Sequence, residues 1–199
     1  MLRIRNLIAS LSIIGIGIGN AQATDAAWEI FLKNPSIQEG RNLASALAVV
    51  ERPCPISLIP KSDQIHRLTT LLRKRNFNAL QPATLALRCL DSGNAEDLYR
   101  ALGESFSADP NRFFTATLQD ELTDDQFKQI VTMLPLRLVD KIDSQISELN
   151  RRILLVTKMK NAPDQRQLRT LAILIKQRDG LLEIQHQFSS QSKNQKGQK

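Results

Sequence analysis

Apolar residues recur at every third or fourth position along most of this chain, and the strict alternation of a half-buried strand is almost absent. That period limits the chain to helices burying one face against other helices. The longest example is Leu138, Ile142, Ile146, Leu149, Ile153 and Val156, at spacings of 4, 4, 3, 4 and 3. It predicts a helix of about 24 residues, roughly 35 Å long. Asn161-Ala162-Pro163-Asp164 breaks the pattern. A second helix of similar length follows, with Leu168, Leu171, Leu174, Ile175, Leu181, Leu182, Ile184 and Phe188 apolar. Two equal helices across a short turn predict an antiparallel hairpin over residues 136–188. The second apolar face is wide, so it is expected to pack on the N-terminal helices as well. Residues 189–199 contain no apolar member and predict a disordered polar tail.

Residues 24–134 divide into shorter helices. Asp25–Lys33 places Trp28, Phe31 and Leu32 on one side, and Asn34-Pro35 interrupts it. Ser36 with Glu39 has the form of a capping box, opening a helix with Leu43, Leu47 and Val50 on one face. Pro53, Pro55 and Pro60 make the next segment irregular, because proline lacks a donor and restricts its predecessor. Ser62 or Asp63 should cap a helix bearing Ile65, Leu68, Leu71 and Leu72. Arg73-Lys74-Arg75-Asn76 then supplies cations for its C-terminus and an asparagine for a left-handed exit. Pro82 opens a helix through Leu85, Leu87 and Leu90. Asp91-Ser92-Gly93-Asn94 reads as a turn, with Asn94 capping a helix that aligns Leu98, Leu102 and Phe106. Asp109-Pro110 and Thr123 with Gln126 mark two further helix starts. The helix–turn–helix units between 62 and 134 share no repeat signature. The expected fold is therefore all-α: an irregular multi-helix bundle in one domain over 24–188, ending in the long hairpin.

The first 23 residues, MLRIRNLIASLSIIGIGIGNAQA, have a different character. Arg3 and Arg5 precede an apolar stretch from Leu7 to Gly19, and Ala21-Gln22-Ala23 has the small residues of a processing site. The stretch covers about 13 residues, short of the ~20 needed to cross a bilayer. It resembles a bacterial Sec-type signal peptide, which implies cleavage after Ala23 and a periplasmic or secreted product. The leader carries two of the 27 basic residues and none of the 20 acidic ones, leaving a net charge of about +5. In an oxidising compartment the two cysteines, Cys54 and Cys89, are expected to be joined. Closing a loop of about 36 residues would contribute roughly 3–4 kcal/mol by the chain-entropy estimate.

The mature sequence contains no HExxH, GxSxG, GxxxxGK[ST] or GxGxxG pattern. His66 and His186 are too few for most zinc sites. Asp120, Glu121, Asp124 and Asp125 flank the helix start at Thr123, where negative charge complements the helix dipole, and they lack the glycine and final glutamate of a calcium loop. Tyr99, Phe106, Phe113 and Phe114 are expected to pack in the core. No catalytic residue, metal ligand or cofactor is expected. The candidate binding patch is Arg67, Arg73, Lys74 and Arg75 at one helix end, with Arg151 and Arg152 as a second spot. The expectation is an exported binding protein without catalytic activity, engaging an envelope or secreted macromolecule, in first place a protein. Nucleic acid and a transmembrane helix in the mature chain are not expected. The alternatives are an immunity or inhibitor protein against a toxin or hydrolase, an enzyme of unrecognised type built on His66 and carboxylates, or a peripheral binder of anionic membranes.

Overall fold

The helical spacing is realised as nine α-helices and no strand among the described residues. In this computed structural model those residues are 19–48, 54, 59–90, 92–117, 122–159 and 164–196. The helices are α1 (Gly19–Lys33), α2 (Ile37–Ala48), α3 (Ser62–Arg73), α4 (Leu80–Ala86), α5 (Ser92–Ala108), α6 (Pro110–Thr117), α7 (Asp124–Thr132), α8 (Ile142–Thr157) and α9 (Asp164–Lys196). Most of the expected leader, residues 1–18, and residues 197–199 lie outside the described residues. No described helix is long and apolar enough to cross a membrane.

Helix starts follow local side-chain chemistry where it was readable. The Ser36 hydroxyl accepts from the Glu39 amide at 3.2 Å. Asp109 accepts from the Arg112 amide at 3.0 Å, with Pro110 as the first helical residue. Thr123 and Gln126 form the reciprocal capping box. At α3 the helix starts one residue early: Lys61 is the cap, and its amide donates to Gln64 Oε1 at 3.0 Å. At α5 the expected Asn94 cap is instead a first-turn residue, because the helix already begins at Ser92. Ser, Gly and Asn suit a helix's first turn as well as a loop, since its amides have no intrahelical partners. Helix α4 stops at Ala86, short of Leu90, where the Gln126 side-chain amide takes the Leu87 carbonyl at 3.1 Å.

Every helix contributes to one hydrophobic core, through Trp28, Leu43, Leu68, Leu80, Leu98, Phe113, Phe127, Leu149 and Leu174 in chain order. Its aromatic centre is Phe106, Phe113 and Phe114, stacked edge to face at 5.4, 6.0 and 6.1 Å between ring centroids. Tyr99 is buried in the same core, and burial raises its phenol pKa. Helices α5 and α7 approach so closely that a Cβ at Gly103 would lie 2.7 Å from the Met133 carbonyl oxygen and 2.8 Å from that of Ile130. Only glycine fits there, despite its low helix propensity.

The C-terminal pair is antiparallel: Gln167 donates to the Val156 carbonyl, while Gln185, farther along α9, meets Asp143 near the start of α8. The two helices are not equal. Helix α8 has 16 residues and α9 has 33. Leu138 lies not in α8 but in a 3₁₀ turn, Leu136–Leu138, that follows Pro135. Helix α9 continues past Phe188 to Lys196, since residues 189–196 hold no proline or glycine to stop it. Its apolar face is only partly used. Leu174 is buried and α9 packs on α7 as well as on α8, with Arg166 reaching Phe114 and Thr117 of α6, so the expected packing on the N-terminal helices is made; Leu168, Ile175, Ile184 and Phe188 stay exposed.

Cys54 and Cys89 are joined, with Cα atoms 5.3 Å apart. The bond ties Cys54, in the proline-rich stretch between α2 and α3, to the turn after α4. It fits a compartment outside the reducing cytoplasm.

Candidate functional site: an arginine-lined cleft

Four arginines from three separate segments meet around one open cleft of about 530 Å³. Arg73 and Arg75 come from the end of α3, Arg137 from the 3₁₀ turn after α7, and Arg151 from α8. Glu104, Ser105 and Ser107 of α5 and Glu148 of α8 complete the polar wall, with Leu72, Ala108 and Pro135 as apolar lining. Two carboxylates against four guanidiniums leave the cleft cationic.

The α3 end of the cleft is built by a Schellman turn. The Asn76 amide donates to the Leu71 carbonyl at 3.0 Å and the Arg75 amide to that of Leu72 at 2.8 Å. The left-handed residue is Arg75, at φ 60°, not the expected Asn76. Asn76 instead has φ −78° and caps the next 3₁₀ turn, its side chain accepting from the Asn78 amide. Glycine is the usual residue at this position, because a Cβ there costs about 1–2 kcal/mol. Here an arginine occupies it and lines the cleft.

The opposite wall rests on a buried ion cluster. Arg152 is fully buried and donates to the carbonyls of Val131 (2.7 Å) and Met133 (3.0 Å) and to Glu148 (3.2 Å). Arg100, 7 % exposed, donates to the Leu134 carbonyl at 2.6 Å. Two buried guanidiniums thus hold the open C-terminal end of α7, where the helix dipole favours positive charge. Arg151 clasps Glu148 through Nε and Nη2, both at 2.8 Å, and donates from Nη1 to the Ser107 carbonyl at 3.0 Å. Its donors are therefore largely committed to the wall.

Burial acts to raise the Glu148 pKa, but the Arg151 hydrogen bonds, the Arg152 charge and the nearby Ser107 hydroxyl outweigh it and bring it to about 2. Burial is also the main influence on Arg152, pulling its pKa down to about 10, where it still carries its proton at neutral pH. Glu148 is consequently a fixed anion, unsuited to exchanging protons near pH 7. The lowered pKa has a thermodynamic consequence. Ionised Glu148 contributes its full stabilisation above its ordinary pKa of 4.5, and that contribution is lost as pH falls through about 2. A shift of this size corresponds to on the order of 3 kcal/mol. Urea unfolding between pH 5 and pH 2 should show the wild type losing stability steeply. Glu148→Gln, less stable at pH 5, should lose distinctly less on the same acidification; equal losses would contradict the assignment.

The six arginine and lysine positions read from the sequence separate in space. Arg73, Arg75 and Arg151 line the cleft together. Arg152 is not a surface residue but the buried support beneath it. Arg67 pairs with Glu29 of α1 at 2.8 Å, and exposed Lys74 is not among the lining residues. Arg137 and Arg100 were missed. Arg100 carried no readable signal, since it lies two residues from both Leu98 and Leu102 and so off their apolar stripe. Both histidines are exposed and neither lines this cleft. Asp124 and Asp125 occupy the first turn of α7, with Asp124 paired to Arg169; Asp120 and Glu121 lie outside the described residues. Among the described residues no group of three or more His, Cys, Asp or Glu side chains is placed to hold a metal ion.

In comparisons with known proteins, the chain matches no family model, no curated protein and no solved structure.

Proposed function

We propose that this protein is an exported binding protein that engages an acidic macromolecule of the cell envelope or its surroundings through the arginine-lined cleft. The observation that carries this reading is the convergence of Arg73, Arg75 and Arg137 on one open, cationic cleft whose only deeply held carboxylate, Glu148, is locked by two arginines. Such a site attracts and orients negative charge. The signal-like leader and the disulfide support a periplasmic or secreted location.

The charge-reversed variant Arg73→Glu/Arg137→Glu tests the reading, because neither side chain is buried. Immobilised wild type should retain anionic material from an envelope fraction and release it as salt rises, following the screening of surface charge. The variant should retain at least tenfold less at low salt while keeping the wild-type melting temperature. Equal retention by both proteins would overturn the proposal.

A further inference from the structure

We infer that the group recognised in this cleft is a phosphoryl group, an inference that rests on the cleft being a binding site. The wall arginine Arg151 is consumed by Glu148 and the Ser107 carbonyl. The other three are not. Among the described residues Arg75 and Arg137 form no ion pair, and Arg73 reaches Glu104 only through Nε, at 3.6 Å. Three arginines from two chain segments therefore line the same cleft with most of their donors uncommitted to ion pairs among the described residues. A carboxylate is planar and is satisfied by one bidentate arginine. A phosphoryl group presents three terminal oxygens in a tetrahedral arrangement and carries up to two negative charges, so it can accept from three arginines at once.

Two further observations point the same way. Arg75 holds a left-handed backbone conformation that glycine would adopt without strain. Strain of this kind is retained where the side chain has a task, here presenting a guanidinium at the cleft. The buried Ser107 hydroxyl lines the cleft beside Glu148 and adds a hydroxyl to its polar wall. The volume of about 530 Å³ exceeds that of a phosphoryl group several-fold, leaving room for the alcohol, glycan or lipid that bears it. Glu104 is the natural competitor: it is the carboxylate an arriving phosphoryl group displaces from Arg73.

Calorimetric titration of the folded protein with inorganic phosphate, pyrophosphate and a glutamate-rich peptide, with flotation on vesicles containing phosphatidate, tests the inference. Pyrophosphate should bind at least tenfold more tightly than the peptide. Arg75→Ala/Arg137→Ala should weaken pyrophosphate binding at least tenfold with an unchanged melting temperature. Glu104→Gln should strengthen it several-fold, an effect that a merely structural role for these residues would not produce. Vesicle binding without soluble pyrophosphate binding, lost in the same double variant, assigns the phosphoryl group to a lipid headgroup. The reverse pattern assigns it to a soluble phosphoester. Tight binding of the peptide alone overturns the phosphoryl assignment while leaving the acidic-partner reading intact. Binding of nothing, together with unchanged envelope retention in the charge-reversed variant, overturns both.

Discussion

Arg152→Ala is expected to destabilise the protein by about 3–5 kcal/mol, the range seen when a buried charged hub is removed. The loss has identifiable parts. The carbonyls of Val131 and Met133 lose their donors inside the protein, at about 1–3 kcal/mol for each group left unsatisfied. A large side chain with no exposed surface leaves a cavity beside Phe106, whose ring lies 5.9 Å from the guanidinium carbon. For a chain of this size the melting temperature should fall by roughly 10 °C. Arg152→Lys should recover only part of the loss, because a single ammonium cannot span both carbonyls and Glu148. Scanning calorimetry of the three proteins decides it; a loss below about 1 kcal/mol would show that α7 and α8 hold together without this contact.

Cys54→Ser/Cys89→Ser is expected to cost roughly 3–4 kcal/mol, since the bond closes a loop of about 36 residues and restricts the unfolded chain. The effect should concentrate on the segment between α2 and α3. In the oxidised protein Cys54 is tied to the turn after α4, thirty-five positions along the chain. Hydrogen exchange should rise first around residues 87–90 and at the start of α3, while the Phe106 cluster keeps its protection. Reduction of the wild type with dithiothreitol should reproduce the shift. A variant as stable as the wild type would mean that the oxidised and reduced chains have equally restricted unfolded states.

The all-helical class was legible because burial of one face imposes a period of 3.6 that no strand shares, and it is written in Leu43 and Leu47, Leu98 and Leu102, Leu149 and Val156. Three helix starts were legible for an equally local reason: Ser36, Asp109 and Thr123 reach amides only three residues away. The errors occur where distant residues intervene. Helix α4 ends where Gln126, thirty-nine positions later, captures the Leu87 carbonyl. The left-handed residue after α3 is Arg75, because Asn76 is drawn into capping the next turn and donating to the Pro35 carbonyl. Arg152 looked like a surface charge beside Arg151. Its spacing from Leu149 and Val156 nevertheless placed it on the buried face, three residues after one and four before the other.

The sequence by itself determined the helices, several of their caps and the two cysteines available for pairing. Each depends on residues within a turn or on the simple presence of a reactive group. Only the tertiary structure decided which arginines share a site. Arg73, Arg75, Arg137 and Arg151 span seventy-eight positions of the backbone along which no periodicity relates them. They meet because α3 packs on α5 and α5 on α7, while buried guanidiniums of α5 and α8 hold the carbonyls at the end of α7. Charge acts through space rather than along the chain, so its concentration in one cleft emerges only when the packing brings those helices together.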